Sequence, residues 1–173
     1  MTEQTDQQDW QKKAGARTAK HFRRFAREWA MQFLFQCDVS GDCDLSGDRS
    51  VVERHLELFW TQLAESKELP VGKEFRRGRR NADELVRGVL DNLEKLDKLI
   101  VEHSEKWTLD RMSPVDRNVM RIAAYEMLFS EKVPRIVSID EAVEIGKQFG
   151  SEQTGAFING ILNSIKNQIE ARK

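Results

Sequence analysis

Cysteine, histidine and long apolar runs are scarce in this chain, whose 173 residues include 2 cysteines and 3 histidines. Cys37 and Cys43 occur with no hydrophobic signal segment, so free thiols in a reducing cytoplasm are expected and a structural disulfide is not. The two cysteines lack the close Cys and His spacing of a zinc site, and His21, His55 and His103 are scattered over separate helical segments; no metal is expected. No uninterrupted apolar run approaches the roughly 18 to 20 residues a bilayer-spanning helix needs, which argues against a membrane protein.

The signatures of catalysis are missing too. There is no Gly-x-Ser-x-Gly turn and no Cys/His nucleophile pattern, and Gly72 and Gly78 flank charged residues without the spacing of a phosphate-binding loop. Glu126, Asp140 and Glu141 are acids on amphipathic helices, where surface or capping roles are usual. The stretch from Asp38 to Ser46 offers oxygens at alternate positions, as a calcium loop does. Its sixth position is Cys43 instead of glycine and its twelfth is Arg49 instead of glutamate, so a solvated loop is expected. Neither enzyme activity nor a cofactor is anticipated, and the length suits one ordinary domain or two small subdomains sharing an interface.

What the chain does have is unevenly placed positive charge. The formal net charge is -1. Even so, Lys12, Lys13, Arg17, Lys20, Arg23, Arg24 and Arg27 all precede Glu28, the first well-placed acid, and form a basic amino-terminal arm. Lys73, Arg76, Arg77, Arg79 and Arg80 make a second cluster, expected in a loop within a linker from Glu65 to Arg80. Such clusters attract polyanions, although arginines on helices are also commonly just solvated.

Apolar periodicity predicts an all-α protein of six or seven helices. Residues 1–16 are polar and Gln-rich and read as a mobile tail. From Thr18, Phe22, Phe25, Ala26, Trp29, Ala30, Phe33 and Leu34 line one side of a helix whose other side carries arginines. A loop over 38–48 is followed by a helix over 49–64, and Leu85 to Leu96 make the next one. Ser113 can N-cap a helix with Pro114 at its first position, running to about Phe129. Val133-Pro134 forbids helical continuation, and Ser138 with Glu141 three residues on looks like a capping box opening another helix that Gly150 closes in a left-handed conformation. The last helix presents Phe157, Ile158, Ile161, Leu162, Ile165 and Ile169 at three-to-four spacing. A basic helix next to aromatic groups supplies phosphate neutralisation and stacking surfaces for unpaired bases. Arg23, Arg24 and Arg27 are phosphate candidates. Phe35 and Phe157 are stacking candidates, with a core role as the alternative.

Over about Arg23 to Ile165 the chain resembles the NusB family. The resemblance rests on Arg23-Arg24-Phe-Ala-Arg-Glu-Trp-Ala-Met-Gln-Phe-Leu-Phe, on Asp116-Arg-Asn-Val-Met-Arg-Ile-Ala-Ala-Tyr-Glu-Met-Leu, on the Val-Pro pair, on Ile139-Asp-Glu-Ala-Val-Glu-Ile-Gly-Lys-Gln-Phe-Gly and on Phe157-Ile-Asn-Gly-Ile-Leu. It implies a NusB-like fold of two small helical bundles in one compact domain over 17–173, divided at about 17–96 and 97–173. It also implies a non-catalytic transcription antitermination role: binding boxA-type RNA with the small-subunit ribosomal protein NusE, in contact indirectly with other Nus factors and RNA polymerase, in support of ribosomal RNA transcription. By motif position Arg24 would contact RNA from the first helix, Phe35 would be the stacking aromatic, and Asp116, Gln153 and Phe157 would border the RNA track, with Arg17, Arg23 and Arg27 of the basic arm as further RNA-binding candidates by their charge. Phe25 stands where the family pattern has a third consecutive arginine, Phe35 where it has tyrosine, Gln153 at a frequent acid and Ala156 at a frequent lysine. The alternative is an adaptor without antitermination activity, akin to the N-terminal domain of RNA methyltransferases or binding protein alone. A homodimer stays open, since a face available to a partner is equally available to a second copy.

Overall fold

The computed structural model describes the backbone of residues 3–66 and 72–173, and side chains from Phe22 onward within them. Among the described residues seven α-helices follow one another: α1 Glu3–Ser40, α2 Arg49–Glu65, α3 Lys73–Asp91, α4 Leu93–Glu102, α5 Pro114–Phe129, α6 Arg135–Phe149 and α7 Thr154–Ala171, with a short 3-10 turn at Leu109–Arg111 before α5. No strand occurs among the described residues.

Helix α5 is the hub because nearly all of its residues from Asn118 to Met127 are buried, apolar and polar alike. Val119, Met120, Ile122, Ala123, Ala124 and Met127 are buried, and α1, α3, α4, α6 and α7 all pack on it. Its start is set locally: Pro114 needs no amide partner at the first turn, and the Ser113 hydroxyl accepts the Asp116 amide at 3.0 Å. The α1–α2–α3 end is filled by rings. Trp29 stacks on Phe25 and meets Trp60 and Phe75 edge-on, while Phe33, Phe59 and Trp60 continue the cluster. Gly78 makes this approach possible, since a Cβ there would lie 2.6 Å from Trp29 Cζ3. At the other end α6 and α7 close through Ile139, Ile145, Ile158, Leu162 and Ile165, all buried.

Several boundaries differ from the sequence reading. The helix is continuous from Glu3, within the segment expected as a tail and ahead of the expected start at Thr18; Gln, Lys, Ala and Arg dominate there and are good helix formers. The basic cluster of 73–80 lies on α3 and not in a loop. Phe75 explains this: its ring packs into the Trp29 and Trp60 cluster, and a helix is the conformation that puts it there while the arginines stay outside. The division expected at 96/97 falls inside α4. Helix α6 begins at Arg135, directly after Pro134, so Ser138 is not its cap; the Ser138 side chain is buried and engaged elsewhere. Gly150 has φ -103°, ordinary backbone, and its need for glycine is space: a Cβ would sit 2.5 Å from Thr154 Oγ1.

Candidate nucleic-acid interface

The arginines of α1 divide by helical phase. Arg27 points into the bundle, where its Nε donates to both oxygens of Glu126 at 2.9 and 3.1 Å, and Ser138 Oγ donates to the same carboxylate at 2.8 Å. Arg27 and Glu126 side chains are 5% and 7% exposed. Arg27 is therefore a correction to the expected RNA-binding set: a buried charge already neutralised by a carboxylate has no face left for a phosphate. Three residues earlier, Arg24 lies at the rim. Its Nε and Nη2 donate to the two oxygens of Glu141 at 2.9 and 2.8 Å, yet its side chain remains 40% exposed. The Glu141 hydrogen bond raises the Arg24 pKa further, so the guanidinium is permanently charged and held in one orientation. Glu141, expected as half of a capping box, is instead the anchor of this arginine. Arg23 is exposed on the neighbouring face of α1, and the Arg17 side chain lies outside the described residues.

A cleft of about 270 Å³ separates α1 from α6 beside Arg24, lined by Arg24, Glu28, Glu144, Ile145, Lys147 and Gln148. Burial pushes the Glu28 carboxyl above its usual pKa, against the pull of Arg24. Lys147 was not singled out from the sequence and belongs here. Its stem crosses the start of α7, where a Cβ on Gly155 would lie 3.2 Å from Lys147 Cε. The glycine thus lets the Lys147 stem lie across the first turn of α7, whose N-cap residue Gln153 is exposed, while the ammonium sits 3.6 Å from Glu144 Oε1. The only hint in sequence was the Gly-Lys-Gln-Phe-Gly run, in which Lys147 reads as one more surface lysine.

The helix directions place the remaining candidates. Glu141 faces Arg24 and Gln148 shares the cleft with Glu28, so α6 runs in the same sense as α1 and delivers the α6–α7 turn farther along it. Helix α5 runs the other way: Arg27 pairs with Glu126, whereas Asp38 accepts from Arg117 Nε at 2.6 Å and Asn118 Nδ2 at 2.9 Å. Phe35 and Asp116 consequently sit at the same end of the bundle, with Phe35 roughly 16 Å along α1 from Arg24. Phe35 is half-buried and packed against the core. Phe157 is also half-buried and meets the exposed Trp107 edge-on, with ring centroids 5.8 Å apart. Asp116 Oδ1 is buried without a hydrogen-bond partner among the described residues. The arrangement from Arg24 through Lys147 and Gln153 toward Phe157 offers cations, amide groups and a ring edge. Asp38, from the stretch that resembles a calcium loop, is committed to α5, and no group of three or more potential metal ligands occurs among the described residues. No helix of the described residues is long and apolar enough to cross a membrane.

Known proteins share this architecture and sequence. The NusB family model matches residues 24–167. The transcription antitermination protein NusB of Desulfatibacillum aliphaticivorans is 46% identical over 143 residues, covering 83% of this chain and 88% of that protein. That of Bacillus subtilis (strain 168) is 39% identical, covering 86% and 97%. The solved T. maritima NusB superposes with a TM-score of 0.65 at 38% identity, covering 84% of this chain and 91% of that one. A chain of a crystal structure of the antitermination factors NusB and NusE in complex with dsRNA shares the fold, with a TM-score of 0.64 at 22% identity. On the family match and the identity to these relatives, the chain belongs to the NusB family.

Proposed function

We propose that this protein is a transcription antitermination factor that binds boxA-type RNA together with the ribosomal protein NusE and, with other Nus factors, assists ribosomal RNA transcription by RNA polymerase. Its work is recognition and assembly, with no chemical step of its own. The observation that carries the reading is Arg24, a permanently charged, part-exposed guanidinium fixed by Glu141 beside Lys147 in a member of this family. Arg24 and Lys147 neutralise phosphates, Gln153 supplies amide hydrogen bonds to bases, and Phe157 and Phe35 offer ring surface for stacking. Asp116 borders the track.

The test is binding of a short fluorescent boxA-like RNA and a scrambled RNA, with and without the ribosomal protein, at two salt concentrations. Preference for boxA that strengthens with the partner is the expected result. Equal binding to both RNAs, indifferent to the partner, overturns the reading and leaves a helical protein with solvated arginines.

A further inference from the structure

Arg23 and Arg24 are consecutive in sequence and serve different surfaces. Arg24 faces the α6 side, whereas Arg23 lines a groove of about 360 Å³ formed where α1, α3 and the α5–α6 connection meet. Helix α3 contributes Arg77 to this groove, the connection contributes Lys132, and Tyr125 with Phe129 forms an aromatic wall. Arg23, Arg77 and Lys132 are exposed and have no ion pair among the described residues, unlike Arg79 and Arg87, which are tied to Glu57 and Glu53. Two carboxylates also line the groove. Glu126 is neutralised by Arg27, which leaves Glu84 against three cations. Phe129 is 45% exposed, tilted against Tyr125 with centroids 5.4 Å apart, and Lys95 sits 5.1 Å above its ring. Outside the groove the positive stripe continues along one face of α3 through Lys73, Arg76 and Arg80, which recur at helical spacing and are all exposed.

We infer that this groove and the α3 stripe form a second RNA surface, which takes a single-stranded segment flanking the sequence recognised beside Arg24. The inference rests on the RNA-binding reading proposed above. Unpaired cations around the exposed Phe129 ring, with half-buried Tyr125 beside it, are what a flexible single strand needs: phosphates are neutralised in passing, and bases stack without sequence readout. An acidic protein would be served by the cations alone and gives no use to the aromatic wall. Arg23 makes the two surfaces contiguous, because a strand leaving Arg24 meets the adjacent residue first.

The test compares a core boxA RNA with the same RNA extended by oligouridine at either end, using wild-type protein and the double variant Arg77→Gln, Lys132→Gln. Neither side chain is buried or paired among the described residues, and circular dichroism with thermal melting verifies that the variant folds. One extended RNA should bind wild type at least tenfold tighter than the core RNA. The double variant should lose that gain, with the salt slope for the extended RNA falling by about 1.4 for two lost phosphate contacts, and core binding should be unchanged. Phe129→Ala should remove part of the same gain with the slope intact. No gain on extension, equal losses on core and extended RNA, or an effect of the double variant on the ribosomal partner alone would overturn the inference. Failure of the RNA-binding reading itself is distinguishable: wild type would then not prefer core boxA RNA over its scrambled form.

Discussion

Arg27 Nε lies 2.9 Å from Glu126 Oε1 and 3.1 Å from Oε2 in the interior of the bundle, and this pair fixes the rotation of α1 on α5. With Arg27 turned inward, Arg24 one turn earlier reaches the α6 rim and Arg23 faces the α3 groove. The Glu126 carboxylate also receives Ser138 Oγ at 2.8 Å, which ties α6 to the same point.

Breaking this pair from one side should be severe. Arg27→Met leaves Glu126 with Ser138 as its hydrogen-bond donor, and Glu126→Leu leaves a buried guanidinium beside Glu141, 3.8 Å away. Each single variant is expected to lose about 3 to 5 kcal/mol in urea unfolding. The double variant Arg27→Met, Glu126→Leu should recover much of that loss, because two apolar groups need no partner. Additive losses would show that the cost is steric and not electrostatic.

Arg24 is expected to separate binding from folding. Arg24→Gln should weaken boxA RNA binding about ten- to a hundredfold, the range for losing a charged hydrogen bond, and reduce the salt slope by about 0.7. Stability should fall less than for Arg27→Met, because Arg24 is part-exposed, a glutamine amide can still donate to the buried Glu141, and the Arg27 charge stays 3.8 Å from that carboxylate. RNA titrations and melting curves on the same preparation check both; an unchanged affinity would remove Arg24 from the interface.

Two helical glycines should respond in opposite directions to alanine. A Cβ on Gly88 would fall on the Tyr125 ring where α3 crosses α5, whereas a Cβ on Gly160 meets nothing within 4 Å. Gly88→Ala is expected to destabilise by about 1 to 3 kcal/mol through overpacking. Gly160→Ala should stabilise by about 0.5 to 1 kcal/mol, because glycine is the poorer helix former. Urea midpoints decide, and a harmless Gly88→Ala would mean that α3 and α5 are farther apart than described.

Glu28 sets a pH signature. Burial raises its pKa, Arg24 opposes the rise and Glu141 adds to it. A raised folded pKa means that the folded state holds this proton more tightly than the unfolded chain does. Its contribution is complete below the unfolded value, about 4.3, and is lost as pH rises through the folded value. Glu28→Gln removes that loss, so its melting temperature should exceed wild type at pH 7 and the advantage should fade toward pH 4. An advantage equally large at both pH values would assign the effect to packing. Removing a negative charge beside Arg24 should also tighten RNA binding.

The strongest local signals in the sequence correspond to the elements the structure contains. Ser113-Pro114 started α5 where expected because a hydroxyl cap and a proline at the first turn act within four residues. Val133-Pro134 likewise lies in the break between two helices, after α5 ends at Phe129 and before α6 starts at Arg135. Ser138 and Glu141 misled for an instructive reason. Their spacing matches a capping box, yet α6 was already started by Pro134, and both side chains were drawn to arginines and acids on α1 and α5, more than ten residues away in sequence. The 73–80 cluster read as a loop because its charges outnumber its apolar residues; the single ring of Phe75, with Gly78 opening space for Trp29, was enough to make it helical.

The amino-acid sequence by itself determined the all-α class, the helix boundaries of α2 and α5, the family, and the chemistry of a basic arm beside aromatic groups, because periodicity, caps and residue type are properties of the local chain. Only the tertiary structure decided which arginine is which. Arg23, Arg24 and Arg27 are equivalent as letters, but their helical phase against α3, α6 and α5 makes one a groove wall, one a held and half-exposed cation, and one a buried counter-ion. Availability to a phosphate depends on what else surrounds a charge, and those surroundings come from residues about a hundred positions away in the chain.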